Sequence, residues 1–274
     1  MPDVPTVTLN NGVEIPQLGF GVFQIAPADT VRCVTLALQA GYRHIDTAEM
    51  YGNEREVGEA VARSGLDRSD VFITSKLDNG AHAYDDALRA FDGTMAALGV
   101  EQIDLFLIHW PLATVSDFVP TWRALERVYE EGRARAIGVS NFHQHHLERL
   151  FGETETVPAV NQIEAHPYLV QAELRAFDAA HGIATEAWSP IARGKVLDDP
   201  VVADVARRVG RTPAQVVLRW HLQLGNIVFP KSATPERIAE NFALWDFELG
   251  DDDMKAISDL DRGERTGADP DTFA

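Results

Sequence analysis

Cysteine is almost missing from this sequence, and its scarcity excludes several kinds of site. Cys33 is the single cysteine among 274 residues, so no disulfide can form within the chain. A zinc or iron–sulfur centre held by several thiolates is excluded for the same reason. A lone thiol suits a reducing compartment, and we therefore expect a cytoplasmic protein.

Long apolar runs are also missing. No uninterrupted apolar stretch is long enough to cross a bilayer, and residues 1–10 have neither the basic start nor the apolar centre of a secretory signal. We therefore expect neither a signal peptide nor a membrane partner.

Positive charge is scarce. The chain has 24 Lys and Arg residues against 42 Asp and Glu, which gives a formal net charge of -18. Such a charge repels phosphate backbones, so nucleic acid is not an expected partner. It does not forbid a phosphorylated cofactor, provided that the few cations cluster locally.

Strand-like and helix-like segments alternate along the whole chain. An Asn-Gly turn at 11–12 joins two short β-rich runs and predicts a hairpin, and eight strand candidates follow at 18–22, 44–46, 71–75, 104–108, 134–138, 159–163, 183–187 and 227–229. Alternation predicts a parallel sheet, either a closed barrel or an open doubly wound sheet. Eight evenly spread strands favour the barrel. We predict an α/β fold: a single (β/α)8 TIM barrel domain over 1–274, with the N-terminal hairpin closing its bottom and extra C-terminal helices and a loop.

Polar residues occur where the predicted strands end. Asp46 ends the second strand, Lys76 the third and His109 the fourth, while Tyr51 lies in the loop after Asp46. The carboxyl ends of barrel strands meet at one mouth, so these side chains are expected to form a site.

The residue types at this mouth suit the reduction of a carbonyl group. Tyr51 can donate a proton, and a buried Lys76 would bring its pKa of about 10 closer to neutrality. Asp46 would keep Lys76 charged, and His109 could donate a hydrogen bond to a carbonyl oxygen. No side chain supplies a hydride, so the chemistry requires a cofactor.

Ordered motifs across the chain resemble those of the aldo-keto reductase superfamily. They are Gly41–Ala48 followed by Tyr51–Glu54, Ile73–Lys76, Asp104–Pro111, Ile137–Phe142, Pro158–Glu164, and Phe229–Ser232 followed by Arg237, Glu240 and Asn241. The segments Pro16–Phe23, Glu186–Trp188 and Leu218–Gln223 are most similar to the bacterial 2,5-diketo-D-gluconate reductase branch.

The resemblance implies NADPH-dependent reduction of a keto-sugar, a dicarbonyl or a small aldehyde by a monomer. Tyr51 would be the general acid, Asp46 and Lys76 its tuning pair, and His109 the group that orients the carbonyl. The implied substrate pocket is Phe23, Tyr51, His109 and Trp110. The implied cofactor-binding residues are Gly21, Val22, Asp46, Ser140, Asn141, Gln162, Trp188, Ser189, Lys231, Ser232, Thr234, Arg237, Glu240 and Asn241.

Particular parts of NADPH are implied for several of these residues. Trp188 would stack on the nicotinamide, Ser140, Asn141 and Gln162 would bind its carboxamide, and Glu240 and Asn241 the adenine. Lys231, Ser232 and Arg237 would hold the 2′-phosphate. The residue types at these positions also suit a phosphate, because two cations and nearby hydroxyls lie just before or at the start of a helix expected at Pro235.

Several positions depart from the family pattern and leave substrate choice open. Asp78 stands where related reductases often have Trp, Ser189 replaces a common Gly, Pro190–Arg193 replaces a Gly- and Leu-rich loop, and the tail after Asp261 is short.

Other interpretations remain as alternatives. A regulatory protein that senses NADPH could use the same fold. A metal-dependent hydrolase would need clustered His and carboxylate ligands at the strand ends, which are not present.

The segment His143–His146 offers histidines at metal-ligand spacing but has no carboxylate nearby in the sequence, so no metal is expected. Gln24 occupies the third glycine position of a dinucleotide fingerprint, which excludes that motif.

Overall fold

The barrel is closed by eight parallel strands. A computed structural model describes residues 4–274, so the first three residues of the segment tested for a signal lie outside it. The strands are β3 (Phe20–Gly21), β4 (His44–Asp46), β5 (Phe72–Leu77), β6 (Ile103–Ile108), β7 (Ala134–Ser140), β8 (Val160–Glu164), β9 (Ala184–Trp188) and β10 (Ile227–Val228), hydrogen-bonded in that order. A bridge between Leu18 and Val228 joins the two ends of the sheet. The predicted (β/α)8 barrel is confirmed.

The N-terminal hairpin closes the bottom of the barrel, as predicted. Strand β1 (Thr6–Thr8) pairs with β2 (Glu14–Pro16), and Leu9 and Ile15 pack against Leu105 and Val160 inside the barrel. The Asn10 amide donates to the carbonyl oxygen of Pro158 at 3.0 Å, just before β8 begins. The hairpin therefore lies at the end of the barrel opposite the strand carboxyl ends.

Helices surround the sheet, and their ends follow local sequence signals. They are α1 (Pro27–Ala40), α2 (Glu54–Arg63), α3 (Tyr84–Leu98), α4 (Phe118–Glu130), α5 (Gln144–Glu153), α6 (Ala172–Ala180), α7 (Pro200–Val209), α8 (Pro213–Gln223), α9 (Pro235–Phe242) and α10 (Asp251–Ser258). Helix α8 begins at Pro213 after Thr212, whose hydroxyl accepts the backbone N–H of Gln215. Gly41 ends α1 at φ 115°, where a side chain would be strained. In the described part of the chain no helix is both long and apolar enough to cross a membrane.

The C-terminal tail, residues 262–274, lies across the mouth of the barrel. Buried Glu164, at the end of β8, accepts the backbone N–H of Thr266 at 2.6 Å and that of Gly267 at 3.2 Å. Further along, the Phe273 ring lies 4.4 Å from that of Trp110. The tail thus forms part of the surface around the site.

Candidate active site

A buried ion pair lies at the base of the mouth. Asp46 ends β4 and Lys76 lies on the neighbouring strand β5, where both are almost fully buried. Lys76 Nζ donates to both carboxylate oxygens of Asp46, at 2.9 and 2.8 Å, and to the carbonyl oxygen of Thr47 at 2.7 Å. Burial lowers the pKa of Lys76, but the Asp46 carboxylate and Tyr51 raise it more, so the ammonium stays charged.

Tyr51 lies directly above this pair. The chain leaves β4 through a short 3₁₀ turn, Glu49–Tyr51, which places the tyrosine ring 5.1 Å from Lys76 Nζ. Burial raises the pKa of Tyr51 above 10, and Lys76 lowers it by less. The expected effect of Lys76 is present, but the expectation that the pKa moves closer to neutrality was wrong, because burial is the larger effect. Tyr51 therefore keeps its proton at neutral pH.

His109 faces Tyr51 from the end of β6. Their ring centres are 5.8 Å apart, and the imidazole is only 7% exposed. Burial, and then the nearby Lys76 charge, hold the pKa of His109 well below 6.5. The ring is therefore neutral, and one of its nitrogens can donate a hydrogen bond without adding a charge to the site.

A second buried acid lies behind the ion pair. The Gln162 amide nitrogen donates to Asp46 Oδ2 at 2.9 Å and to Glu186 Oε2 at 2.7 Å. Burial, and then the neighbouring Asp46, raise the pKa of Glu186 to about 8. In the sequence, Glu186 stands out only as part of the motif Glu186–Trp188. Its position two residues before Trp188 on β9 was the available signal, because alternate residues of a strand share a face.

A pocket of about 590 Å³ opens above these groups. Its base includes Asp46, Tyr51 and His109, and its walls include the rings of Phe23 and Trp110. All four residues of the predicted substrate pocket therefore line one cavity. The lining also includes residues that were not predicted as pocket residues, namely Gln24, Met50, Phe229, Pro230, Gly267, Ala268 and Phe273.

The polar side of this pocket holds most of the predicted cofactor-binding residues. Gly21, Ser140, Asn141, Gln162, Trp188, Ser189 and Lys231 line the same cavity. The Trp188 indole nitrogen donates to Asn141 Oδ1 at 2.8 Å, which fixes the ring beside the pocket. Both N–H groups of Gln162 are directed to carboxyl oxygens of Asp46 and Glu186, so its amide oxygen is the atom that can accept from a ligand. Val22 is fully buried in the core and does not line the cavity.

The remaining predicted residues extend this surface outward. Ser232, Thr234, Arg237, Glu240 and Asn241 lie outside the cavity, in the loop before α9 and on α9 itself.

The outer end of this surface suits a phosphate. Lys231 and Arg237 are exposed, and neither forms an ion pair within residues 4–274. No side chain caps the start of α9, so its first N–H groups are open to an anion. One end thus presents the Trp188 indole, the Asn141 and Gln162 amides and the Ser140 hydroxyl, and the other presents two cations and a helix N-terminus. That set of donors fits a phosphorylated dinucleotide.

The tail also brings a carboxylate to the histidines at the start of α5. Asp271 Oδ1 lies 3.0 Å from His143 Nδ1 and 3.3 Å from His145 Nε2. The expectation that these histidines have no carboxylate nearby was wrong, because Asp271, which is 128 residues away from His143 in the chain, reaches them in the fold.

Comparison with known proteins identifies the family. Residues 17–262 match the Aldo/keto reductase family. An aldo-keto reductase from Mycolicibacterium smegmatis is 55% identical, with 98% of each chain covered. This chain belongs to the aldo/keto reductase family.

Further matches support the reductase's cofactor. Morphine 6-dehydrogenase from Pseudomonas putida is 46% identical, with 97% of this chain and 94% of that protein covered. Among solved structures, a mutant of Gox0644 in complex with NADPH has a TM-score of 0.95 and 44% identity, with 98% of each chain covered. The reductase is an NADP(H)-dependent oxidoreductase that reduces carbonyl groups. Its assignment to the 2,5-diketo-D-gluconate branch stays a prediction.

Proposed function

We propose that the reductase converts a small aldehyde, dicarbonyl or keto-sugar to its alcohol, with Tyr51 as the proton donor. The observation that carries this proposal is the phenol at the base of the pocket, with a charged Lys76 below it and a neutral His109 beside it. NADPH, when bound, supplies the hydride for the carbonyl carbon. The carbonyl oxygen, which becomes negative as the hydride arrives, takes the proton of Tyr51.

Each group at the base of the pocket has a separate task in this proposal. His109 donates a hydrogen bond to the carbonyl oxygen and so orients it toward Tyr51. The Lys76 ammonium stabilises the phenolate that remains after the proton leaves. The Asp46 carboxylate accepts hydrogen bonds from Lys76 and Gln162 and acts by keeping the ammonium in place.

The cofactor would lie along the polar side of the pocket. In this proposal Trp188 stacks on the nicotinamide, and the Gln162 oxygen accepts from its carboxamide. Ser140 and Asn141 complete that end, with Gly21 and Ser189 lining it and the backbone of Val22 behind it. Lys231, Ser232, Thr234 and Arg237 hold the 2′-phosphate, and Glu240 and Asn241 lie at the adenine.

The pocket favours substrates with an apolar side. Phe23 and Met50 are each 47% exposed at its mouth, and Trp110 and Phe273 form the opposite wall. Large exposed apolar side chains beside a cavity are typical of a binding surface. We therefore expect aromatic and aliphatic aldehydes and dicarbonyls to be better substrates than fully hydroxylated keto-sugars.

The test is NADPH consumption against aldehydes, α-dicarbonyls and keto-sugars, with the wild type and Tyr51→Phe in parallel. Removing a general acid should lower kcat by roughly 10²–10⁴-fold while NADPH still binds. Tyr129→Phe is the control, because that hydroxyl meets Asn11 at the bottom of the barrel. A Tyr51→Phe enzyme with most of its turnover would refute the assignment. Tight NADPH binding with no turnover on any substrate would favour the regulatory alternative.

A further inference from the structure

Three histidines and one carboxylate meet where the tail crosses the start of α5. Asp271 Oδ1 is the shared point, at 3.0 Å from His143 Nδ1, 3.3 Å from His145 Nε2 and 3.6 Å from His146 Nε2. The donor atoms of His143, His145 and Asp271 all lie within 4.8 Å of one another. The proposed hydride transfer uses none of these residues.

These separations suit the ligands of a first-row divalent metal ion. Bonds of roughly 2.0–2.2 Å from zinc to nitrogen or oxygen place neighbouring ligand atoms about 3 to 3.5 Å apart. Two imidazoles and one carboxylate prefer Zn²⁺, Ni²⁺ or Cu²⁺ over Mg²⁺, which prefers oxygen ligands alone. The two shortest contacts to Asp271 therefore already have the spacing of adjacent metal ligands.

His146 is better placed to orient the site than to bind the ion. Its Nδ1 accepts the backbone N–H of His143 at 3.1 Å, so the neutral ring carries its proton on Nε2. That N–H faces Asp271 Oδ1, and the ring is 3% exposed. A buried imidazole that donates toward a ligand carboxylate is a common way to hold that carboxylate in one orientation.

His143 must change its tautomer to bind an ion. Arg265 donates to His143 Nε2 at 3.1 Å, so in the hydrogen-bonded network the proton lies on Nδ1 and is directed to Asp271. A metal at Nδ1 requires this proton to move to Nε2, and Arg265 must then turn away. Asp269 offers Arg265 another partner, because these side chains already lie 3.9 Å apart.

The same tail segment forms part of the substrate pocket. Glu164 holds the tail at Thr266 and Gly267, and Gly267 lies so close to Trp188 that a Cβ atom there would collide with the indole. Two residues beyond Asp271, the Phe273 ring packs on Trp110. An ion at Asp271 would therefore fix the pocket wall that Phe273 forms.

We propose that His143, His145 and Asp271 form a binding site for Zn²⁺ or a similar divalent ion, which pins the tail over the substrate pocket. The ion takes no part in hydride transfer. It holds Phe273 against Trp110, so its loss raises KM and leaves kcat nearly unchanged. Only this kinetic consequence rests on the proposed reductase activity.

Calorimetric titration of chelator-treated protein with ZnCl₂ tests the site without any need for turnover. We expect one saturable site in the wild type and at least tenfold weaker binding in His145→Ala and Asp271→Asn. These side chains are 60% and 47% exposed, so their replacement should leave the fold intact. His181→Ala, which removes another exposed histidine, should bind as the wild type does.

Absence of saturable binding, or equal binding by all four proteins, would overturn the proposal. A second measurement tests the pinning: proteolysis near residue 270 should slow when Zn²⁺ is added to the wild type, but not to Asp271→Asn. If Zn²⁺ binds at these residues and the tail is cleaved equally fast, the pinning role is wrong. Failure of the reductase assay would alter neither result.

Discussion

Replacing Glu186 by Gln should change the stability of the reductase in opposite directions at low and high pH. Glu186 is fully buried, and its pKa is raised from an ordinary 4.5 to about 8. Below pH 4.5 the acid is protonated in both the folded and the unfolded chain, so its ionisation does not lower the free energy of unfolding. As the pH rises from 4.5 toward 8, the unfolded chain loses this proton and the folded chain keeps it, and stability falls by about 1.4 kcal/mol per pH unit.

The whole interval corresponds to about 5 kcal/mol of lost stability, as an upper value for a fully buried group. Gln does not titrate, so Glu186→Gln escapes this loss. The substitution has a cost of its own, because Glu186 Oε1 has no hydrogen-bond partner within the described chain, and an amide N–H₂ there would be unpaired. That cost is about 1–3 kcal/mol at every pH. The variant should therefore be less stable than the wild type at pH 5 and more stable at pH 8.

Urea unfolding followed by tryptophan fluorescence, from pH 5 to pH 8.5, measures the difference directly. Glu173→Gln serves as the control, because it removes an exposed acid from α6. A difference between wild type and Glu186→Gln that stays constant with pH would refute the reasoning. It would mean that Glu186 is ionised in the folded chain, with Lys76 balancing two carboxylates.

Three further predictions concern the same pocket. Lys76→Met leaves the Asp46 carboxylate buried without its partner, so we expect a loss of about 3–5 kcal/mol in urea unfolding and a large fall in kcat; an unchanged midpoint would contradict this. Because the pKa of Tyr51 lies above 10 and that of His109 well below 6.5, neither group titrates from pH 7 to pH 9. Any step in kcat/KM for reduction within that range should therefore come from Glu186, whose pKa is about 8, and should be absent in Glu186→Gln; a steep fall that persists in Glu186→Gln would show another group in control. Gly267→Ala places a methyl group against the indole of Trp188, so the KM for NADPH or substrate should rise with little change in thermal unfolding; unaltered KM values would show that the tail yields easily.

The sequence was sufficient for the barrel and for the base of the site, because both depend on local patterns. All eight strand candidates match observed strands to within a few residues, and the side chains at their ends do converge. Helix α7 was not predicted, although Asp199 before Pro200 forms a standard helix start and Asp199 does accept the Val201 amide.

What the sequence could not supply depends on contacts between distant residues. The tail has no periodic pattern that would place Asp271 at His143 or Phe273 at Trp110, and its course follows from the bonds to Glu164. The direction of the Tyr51 pKa shift depends on the balance between burial and the Lys76 charge. Residue types alone indicate which groups act on the pKa of Tyr51, but they do not show which effect is larger.

The seam of the barrel, where β3 meets β10, has a consequence for local opening of the fold. Strands β3 and β10 are each two residues long, and few backbone hydrogen bonds join them. The Gly19 N–H donates to the carbonyl oxygen of Val228 at 2.7 Å, and the Gly21 N–H donates to that of Pro230 at a long 3.4 Å. Gly21, Pro230 and Lys231 also border the pocket. A dinucleotide bound there would bridge the seam, so local opening that exposes these amides to hydrogen exchange would become rarer at saturating cofactor. Cofactor binding would thus add contacts across the junction of β3 and β10, where backbone hydrogen bonds are few.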